Sequence, residues 1–174
     1  MVTANGTRIL ITGMSGTGKS TLVGALVDLG HRAADLDEPG WSRYVDPDPE
    51  LLRGSGVDAP ASGREWVWRE DRVRRLLEVE QDGMLFVGGC APNQGRFYPL
   101  FDRIVLLTAP VPVTVERLAK RTTNPYGKRP GEVAEVLANK QTVEPLLQRG
   151  ATLEIDTSVP IHEVVRAVLD HAAT

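Results

Sequence analysis

Nine consecutive residues near the start of the chain, Gly13-Met14-Ser15-Gly16-Thr17-Gly18-Lys19-Ser20-Thr21, carry the densest chemical signal in the sequence. They match the pattern GxxxxGK(S/T) in full. Glycines at this spacing let successive backbone N–H groups turn inward around a phosphate, where a Cβ would obstruct them. A helix beginning at Lys19 adds the positive end of its dipole. Lys19 is then expected to reach the β- and γ-phosphates of a nucleotide, and the Ser20 hydroxyl to ligate Mg2+. Gly13, Ser15, Gly16, Thr17, Gly18, Lys19, Ser20 and Thr21 form the expected nucleotide-binding set.

A second chemical pair lies sixteen residues after Lys19, in Asp35-Leu36-Asp37. Strand alternation points both carboxylates the same way, beside the phosphate loop at the carboxyl edge of a parallel sheet. Asp35 is expected to complete the Mg2+ shell with Ser20. Asp37 is expected to take a proton from an acceptor hydroxyl, or to help hold the acceptor. Asn139-Lys140-Gln141-Thr142 falls short of the guanine-reading NKxD motif, with Thr142 at the position of the acid. Motor and AAA-type ATPases carry an acid after a later strand, whereas Phe86-Val87 here runs into Gly88-Gly89-Cys90.

These residues need a scaffold. Residues 8–12, 31–36, 84–87, 103–108 and 152–156 read as short strands, several of them continuous apolar runs bounded by turn residues. Helical patterns over 19–29 (stopped by Gly30), about 62–81 and 161–171 alternate with them. The middle helix is expected to start at a capping box, Ser62-Gly63-Arg64-Glu65. Such βαβ alternation predicts an α/β fold, a parallel sheet with helices on both faces. Two irregular stretches, 38–63 and 122–131, are rich in Pro and Gly, as functional covers often are.

With 174 residues, the chain is expected to be one domain. Its net charge of −3 argues against a nucleic-acid partner. One cysteine, Cys90, allows no internal disulfide, and no Cys/His spacing points to zinc. No apolar run is long enough for a membrane span, and the N-terminus lacks a signal-peptide pattern. The expectation is a cytoplasmic protein with a small-molecule partner, no nucleic acid and no membrane.

Taken together, these features resemble the shikimate kinase and gluconate kinase group of the nucleoside monophosphate kinase-like fold. The resemblance rests on the phosphate loop, on Asp35-Leu36-Asp37 as the group's DxD, and on Gly88-Gly89-Cys90 in place of its glycine triplet. Arg129-Pro130 is similar to its lid motif, and Asp156-Thr157 with Pro160 to its closing adenine contact. Gln141-Thr142-Val143-Glu144-Pro145 is similar to a gluconate kinase stretch. The resemblance implies a five-stranded parallel sheet in the order 2-3-1-4-5, with a lid insert at about 117–131 and an acceptor insert at about 38–81. It also implies ATP as the nucleotide, Arg117 and Pro160 against adenine, and Gly88 and Gly89 beside the acceptor.

The departures concern the acceptor. Ungapped counting puts Val67 and Val143 where shikimate kinases hold their substrate carboxylate with arginines, so shikimate itself is not expected. Instead Trp41, Tyr44, Trp66 and Trp68 gather in this segment, although aromatics make up only 5% of the chain. Trp41 and Trp66 are therefore candidate acceptor contacts, with Trp66 and Trp68 equally suited to packing one helix on the sheet. Arg72, on a row between Trp68 and Leu76, is a candidate for an acceptor phosphate. Glu65–Arg69, Glu70–Arg74 and Asp71–Arg75 read as i,i+4 pairs on the same helix. Arg121 and Arg129 are expected to enter on lid closure and stabilise the charge of the transition state. The expected function is ATP- and Mg2+-dependent phosphorylation of a small-molecule hydroxyl. Its rivals are a nucleoside monophosphate kinase and a nucleotide-dependent regulatory protein that transfers nothing.

Overall fold

The computed structural model describes residues 6–50 and 63–174. Five parallel strands form the main sheet: β1 (Thr7–Thr12), β2 (Arg32–Asp35), β5 (Met84–Gly88), β6 (Arg103–Thr108) and β7 (Leu153–Asp156). Their order is β2-β5-β1-β6-β7, which is the expected 2-3-1-4-5 when the five strands are numbered among themselves. Helices α1 (Lys19–Asp28), α3 (Val111–Lys120), α4 (Pro130–Thr142), α5 (Glu144–Gly150) and α6 (Ile161–Ala172) connect or flank them.

The central strands are apolar on both sides because both faces are covered. Ile9 and Ile11 of β1 pack with Leu22 and Leu26 of α1 and Val164 and Val168 of α6. The intervening Leu10 turns to the opposite layer, with Val87, Phe97, Val73 and Leu77. Register does the positioning: Ile11 pairs with Gly88, and Asp35 also pairs with Gly88 on its other side. The phosphate loop, the two aspartates and the glycine pair therefore emerge together at one sheet edge.

One element departs from the expected plan. The helix read over about 62–81 is instead a strand, β4 (Glu65–Trp68), followed by a shorter helix, α2 (Glu70–Glu78). Strand β4 pairs antiparallel with β3 (Ser42–Val45), matching Ser42 to Trp68 and Tyr44 to Trp66. Pairing with β3 and the β-favouring run Trp66-Val67-Trp68 win over the charge spacing that suggested a helix. The expected capping box is thus absent: Ser62 lies outside the described residues, and Glu65 sits within the strand. Glu65 and Arg69 cannot form a helical pair, and Glu70 bonds Arg96 rather than Arg74. Only Asp71–Arg75 forms as expected, at 3.8 Å on an exposed face.

A buried amide attaches this hairpin to the sheet. Asn93 follows β5 and precedes a 3-10 turn (Gln94–Leu100). Its Oδ1 accepts from the Trp68 N–H at 3.1 Å, and its Nδ2 donates to the Trp68 carbonyl at 3.0 Å. Asn93→Ala strands both backbone groups in the interior. We expect it to destabilise the protein by about 2–4 kcal/mol, read as a lowered Tm in thermal unfolding.

Candidate active site

The phosphate loop folds as its glycines require. Gly16 and Gly18 have φ of +83° and +97°, where side chains are disfavoured. A Cβ on Gly13 would lie 2.4 Å from the Leu107 carbonyl oxygen, so only glycine lets the loop seat against β6. Lys19 begins α1 and is 8% exposed. Its Nζ donates to the carbonyls of Gly13 and Met14 at 2.7 and 3.1 Å, which holds the ammonium inside the curve of the loop.

At the adjoining strand end, Ser20 Oγ donates to Asp35 Oδ2 at 2.5 Å. Asp35 Oδ1 accepts from the Asp37 N–H at 3.0 Å, and Asp37 Oδ1 accepts from the Cys90 N–H at 3.1 Å. A chain of polar contacts thus runs from α1 through both aspartates to the turn after β5. A hydroxyl and a carboxylate in contact are oxygen donors of the kind Mg2+ takes, along with phosphates and water. No cluster of three or more His, Cys, Asp or Glu side chains suited to a metal occurs among the described residues. Ser20 and Asp35 are the residues that would hold Mg2+, with the remaining ligands coming from a bound nucleotide and water.

Burial pushes the Asp37 carboxyl above its usual range, while the Lys19 ammonium and the Cys90 N–H act in the opposite direction. Burial also raises the Cys90 thiol, which suits a packing residue more than a nucleophile.

Both tryptophans of β4 converge on Asp37. Trp66 Nε1 donates to its main-chain oxygen at 3.2 Å, and the Trp66 ring lies against Tyr44, centroids 4.6 Å apart. Trp68 is 1% exposed, with its ring 5.7 Å from Phe97. Trp41 is half-buried and lines two grooves. One, of 510 Å3, also includes Ser20, Gly24, Asp35 and Glu38. The other, of 460 Å3, is bounded by Gly40, Leu76, Val79, Arg72 and Arg75. Arg72 is exposed and donates to the Gly40 carbonyl, so its guanidinium is occupied at the outer groove.

On the other side of the loop, Arg117 donates to Thr157 Oγ1 at 2.8 Å, to the Thr157 carbonyl at 2.6 Å, and to the Gly16 carbonyl at 3.4 Å. Thr157 Oγ1 also contacts the Thr17 carbonyl at 2.8 Å, joining the segment after β7 to the phosphate loop. Pro160 stands at the head of α6, exposed. Arg121 donates to Ser15 Oγ at 3.3 Å and to the Tyr126 carbonyl. Burial lowers its pKa, yet a guanidinium stays charged. Tyr126 in turn donates to Glu135 Oε2 at 2.8 Å, which ties the 122–131 segment to α4. Arg129 is exposed at the start of α4, and no bond links its side chain to the loop among the described residues.

Sequence reasoning passed over three groups. Asn93 anchors β4. Gln94 bonds Thr12 Oγ1, the Ala91 N–H and Tyr98, bracing the turn after Cys90. Arg69 precedes α2, and its buried Nε has no partner among the described residues. Two neighbouring amides after a glycine pair were the available signal for the first two. Arg69 carried none, because the expected helix gave it a partner.

Two predictions follow from this geometry. A carboxyl with a raised folded-state pKa makes stability fall as pH rises from its ordinary value, about 3.9, through the raised one. Asp37→Asn should therefore raise Tm at pH 8, and the gain should vanish at pH 3, as followed by thermal unfolding. Thr157→Val removes the hydroxyl shared by Arg117 and Thr17. It should weaken nucleotide binding about tenfold by calorimetry, equivalent to one lost hydrogen bond.

The comparisons with known proteins agree with this architecture. The chain is 28% identical to an adenylyl-sulfate kinase of Paraburkholderia xenovorans (strain LB400), covering 100% of this chain and 97% of that protein. Shikimate kinase from Acinetobacter baumannii, solved with shikimate, superposes with a TM-score of 0.61 at 20% identity. That alignment covers 97% of this chain and 93% of the other. A gluconokinase from Sinorhizobium meliloti 1021 gives 0.57 at 19% identity, covering 97% and 92%. These structures share the fold of phosphate-loop kinases. The AAA domain family matches residues 9–138, a span that takes in the phosphate loop, both aspartates and the glycine pair. No acid follows β5, which ends at Gly88 and runs into Gly89-Cys90. With three quarters of its length matched, the chain belongs to the AAA domain family of phosphate-loop proteins.

Proposed function

We propose that the chain is an ATP- and Mg2+-dependent phosphotransferase acting on a hydroxyl of a small molecule other than shikimate. The observation that carries this reading is the continuous contact from Ser20 through Asp35 to Asp37, beside Lys19. A protein that only senses nucleotide has no use for a half-buried carboxylate at that point. The backbone of residues 13–20 holds the phosphates, and Lys19 leaves its loop carbonyls for their β- and γ-oxygens. Ser20 and Asp35 would hold Mg2+, which offsets the charge of the phosphates when bound.

Asp37 orients the acceptor hydroxyl and accepts its proton as that oxygen bonds to the γ-phosphorus. The bond from the γ-phosphorus to the bridging oxygen breaks, and ADP leaves with the electron pair. Arg117 and Pro160 border the base. Arg121 sits on the loop already and carries the lid's positive charge, and Arg129 joins it on closure. On the acceptor side, Gly88 lets Val23 of α1 pack against the strand end, Gly89 leaves the gap beside Asp37 open, and Trp41 offers a ring face at the groove beside Asp35.

A second reading has one observation in its favour. The unpartnered Nε of Arg69 suits an anionic acceptor, such as a nucleotide of the kind named by the adenylyl-sulfate kinase relative.

ADP release measured across hydroxyl-bearing acceptors and nucleotides separates the two readings. Once an acceptor is found, Asp37→Asn should lower kcat by about 10²–10⁴-fold with ATP affinity within about threefold. Arg121→Ala should lower kcat by about 10²-fold or more. An Asp37→Asn enzyme with unimpaired kcat would refute the role of Asp37.

A further inference from the structure

The tryptophans of β4 have a task that neither the sequence nor the fold comparison assigns. Trp68 is fully enclosed, yet its indole Nε1 completes no well-formed hydrogen bond, and the acceptor within its reach is the Asp37 carboxylate, whose charged form it favours. A buried donor without a partner is costly and calls for a physical reason. The reason lies beside Gly89. A Cβ placed there would be 3.1 Å from Asp37 Oδ1 and 3.2 Å from Trp68 Nε1, so the carboxylate and the indole N–H flank the same small gap. Gly89 leaves that gap open. Trp66, two residues earlier on the same strand face, already grips the Asp37 main-chain oxygen at 3.2 Å. Asn93 fixes Trp68 by both of its backbone groups.

We propose that the β3–β4 hairpin is a clamp for Asp37, in which Trp66 holds the main chain and the Trp68 indole N–H steadies the carboxylate. Both tryptophans are positioning residues that act through Asp37, and Trp41 is left as the aromatic that meets the acceptor. The inference rests on the phosphotransfer reading for its purpose. Its geometry can be tested without any acceptor, so the two can fail separately.

The test is the indole N–H spectrum of protein labelled with 15N-tryptophan, recorded at pH 7.5 for the full chain and for Asp37→Asn. Each of the three signals is assigned by the single Trp→Phe variants. Asp37→Asn is close to isosteric and keeps an oxygen that can accept from Cys90. It should move the Trp68 signal upfield and speed its solvent exchange about tenfold, as expected for loss of a bond to a charged acceptor. Trp41 should stay in place. An unchanged Trp68 signal and exchange rate, or an equal change at Trp41, would overturn the proposal. If the Trp68→Phe variant does not fold, the Trp68 signal is assigned as the one left by Trp41→Phe and Trp66→Phe, and the comparison stands.

Discussion

Asp37 is hydrogen-bonded through its amide, its carbonyl and its carboxylate, each time to a different partner. Its amide donates to Asp35, its carbonyl accepts from Trp66, and its carboxylate accepts from Cys90. The segment after β2 is a turn, held also by the Leu36 N–H on the Gly88 carbonyl and by Ser42 on the Leu36 carbonyl, and the three bonds at Asp37 fix its functional end. Through Asp35 the set extends to Ser20 and the first turn of α1. A shift of the carboxylate would thus be felt at the phosphate loop, the hairpin and the glycine pair together. This constraint explains why glycine stands at position 89, where a side chain would press on Asp37 and Trp68.

The electrostatics have the same centre. Burial alone favours a protonated Asp37, and the nearby Lys19 ammonium draws it back toward the charged form. That ammonium is itself held by two loop carbonyls, contacts that a γ-phosphate would replace with stronger ones under the proposed function. Arg117 and Arg121 approach from the opposite side, both already bonded to loop residues. The cations therefore lie on the phosphate-loop side, and the acids lie on the side where the proposed acceptor would bind. This division suits a reaction in which negative charge moves from the γ-phosphoryl group to ADP while a proton leaves the acceptor.

Much of the fold was legible because it depends on local pattern. The phosphate loop, the apolar strands and the order of the sheet follow from periodicity, glycine placement and family likeness. The hairpin escapes the sequence pattern for a definable reason: residues 65–75 carry acids and arginines at helical spacing, and the four residues Glu65-Trp66-Val67-Trp68 are too short and too uniformly buried to show a strand period. Tertiary pairing with β3 decided the outcome. The amide pair Asn93-Gln94 is the one signal of Asn93, and its role stays hidden because it satisfies backbone groups of a strand 25 residues away. Of the expected site, Lys19, Ser20, Asp35 and Asp37 come together as their spacing implied. Arg72 and Arg129 do not join them, since side-chain direction on a loop or helix end is set by neighbours that sequence order does not reveal.

The central claim is that Asp37 turns a nucleotide-binding loop into a phosphotransfer site. The most direct test follows ATP radiolabelled in its γ-phosphoryl group, incubated with the protein, Mg2+ and a mixture of small hydroxyl compounds from a protein-free cell extract. The account predicts that label passes to an organic product with the native chain and not with Asp37→Asn. Label released only as inorganic phosphate, or equal transfer by both proteins, would contradict it.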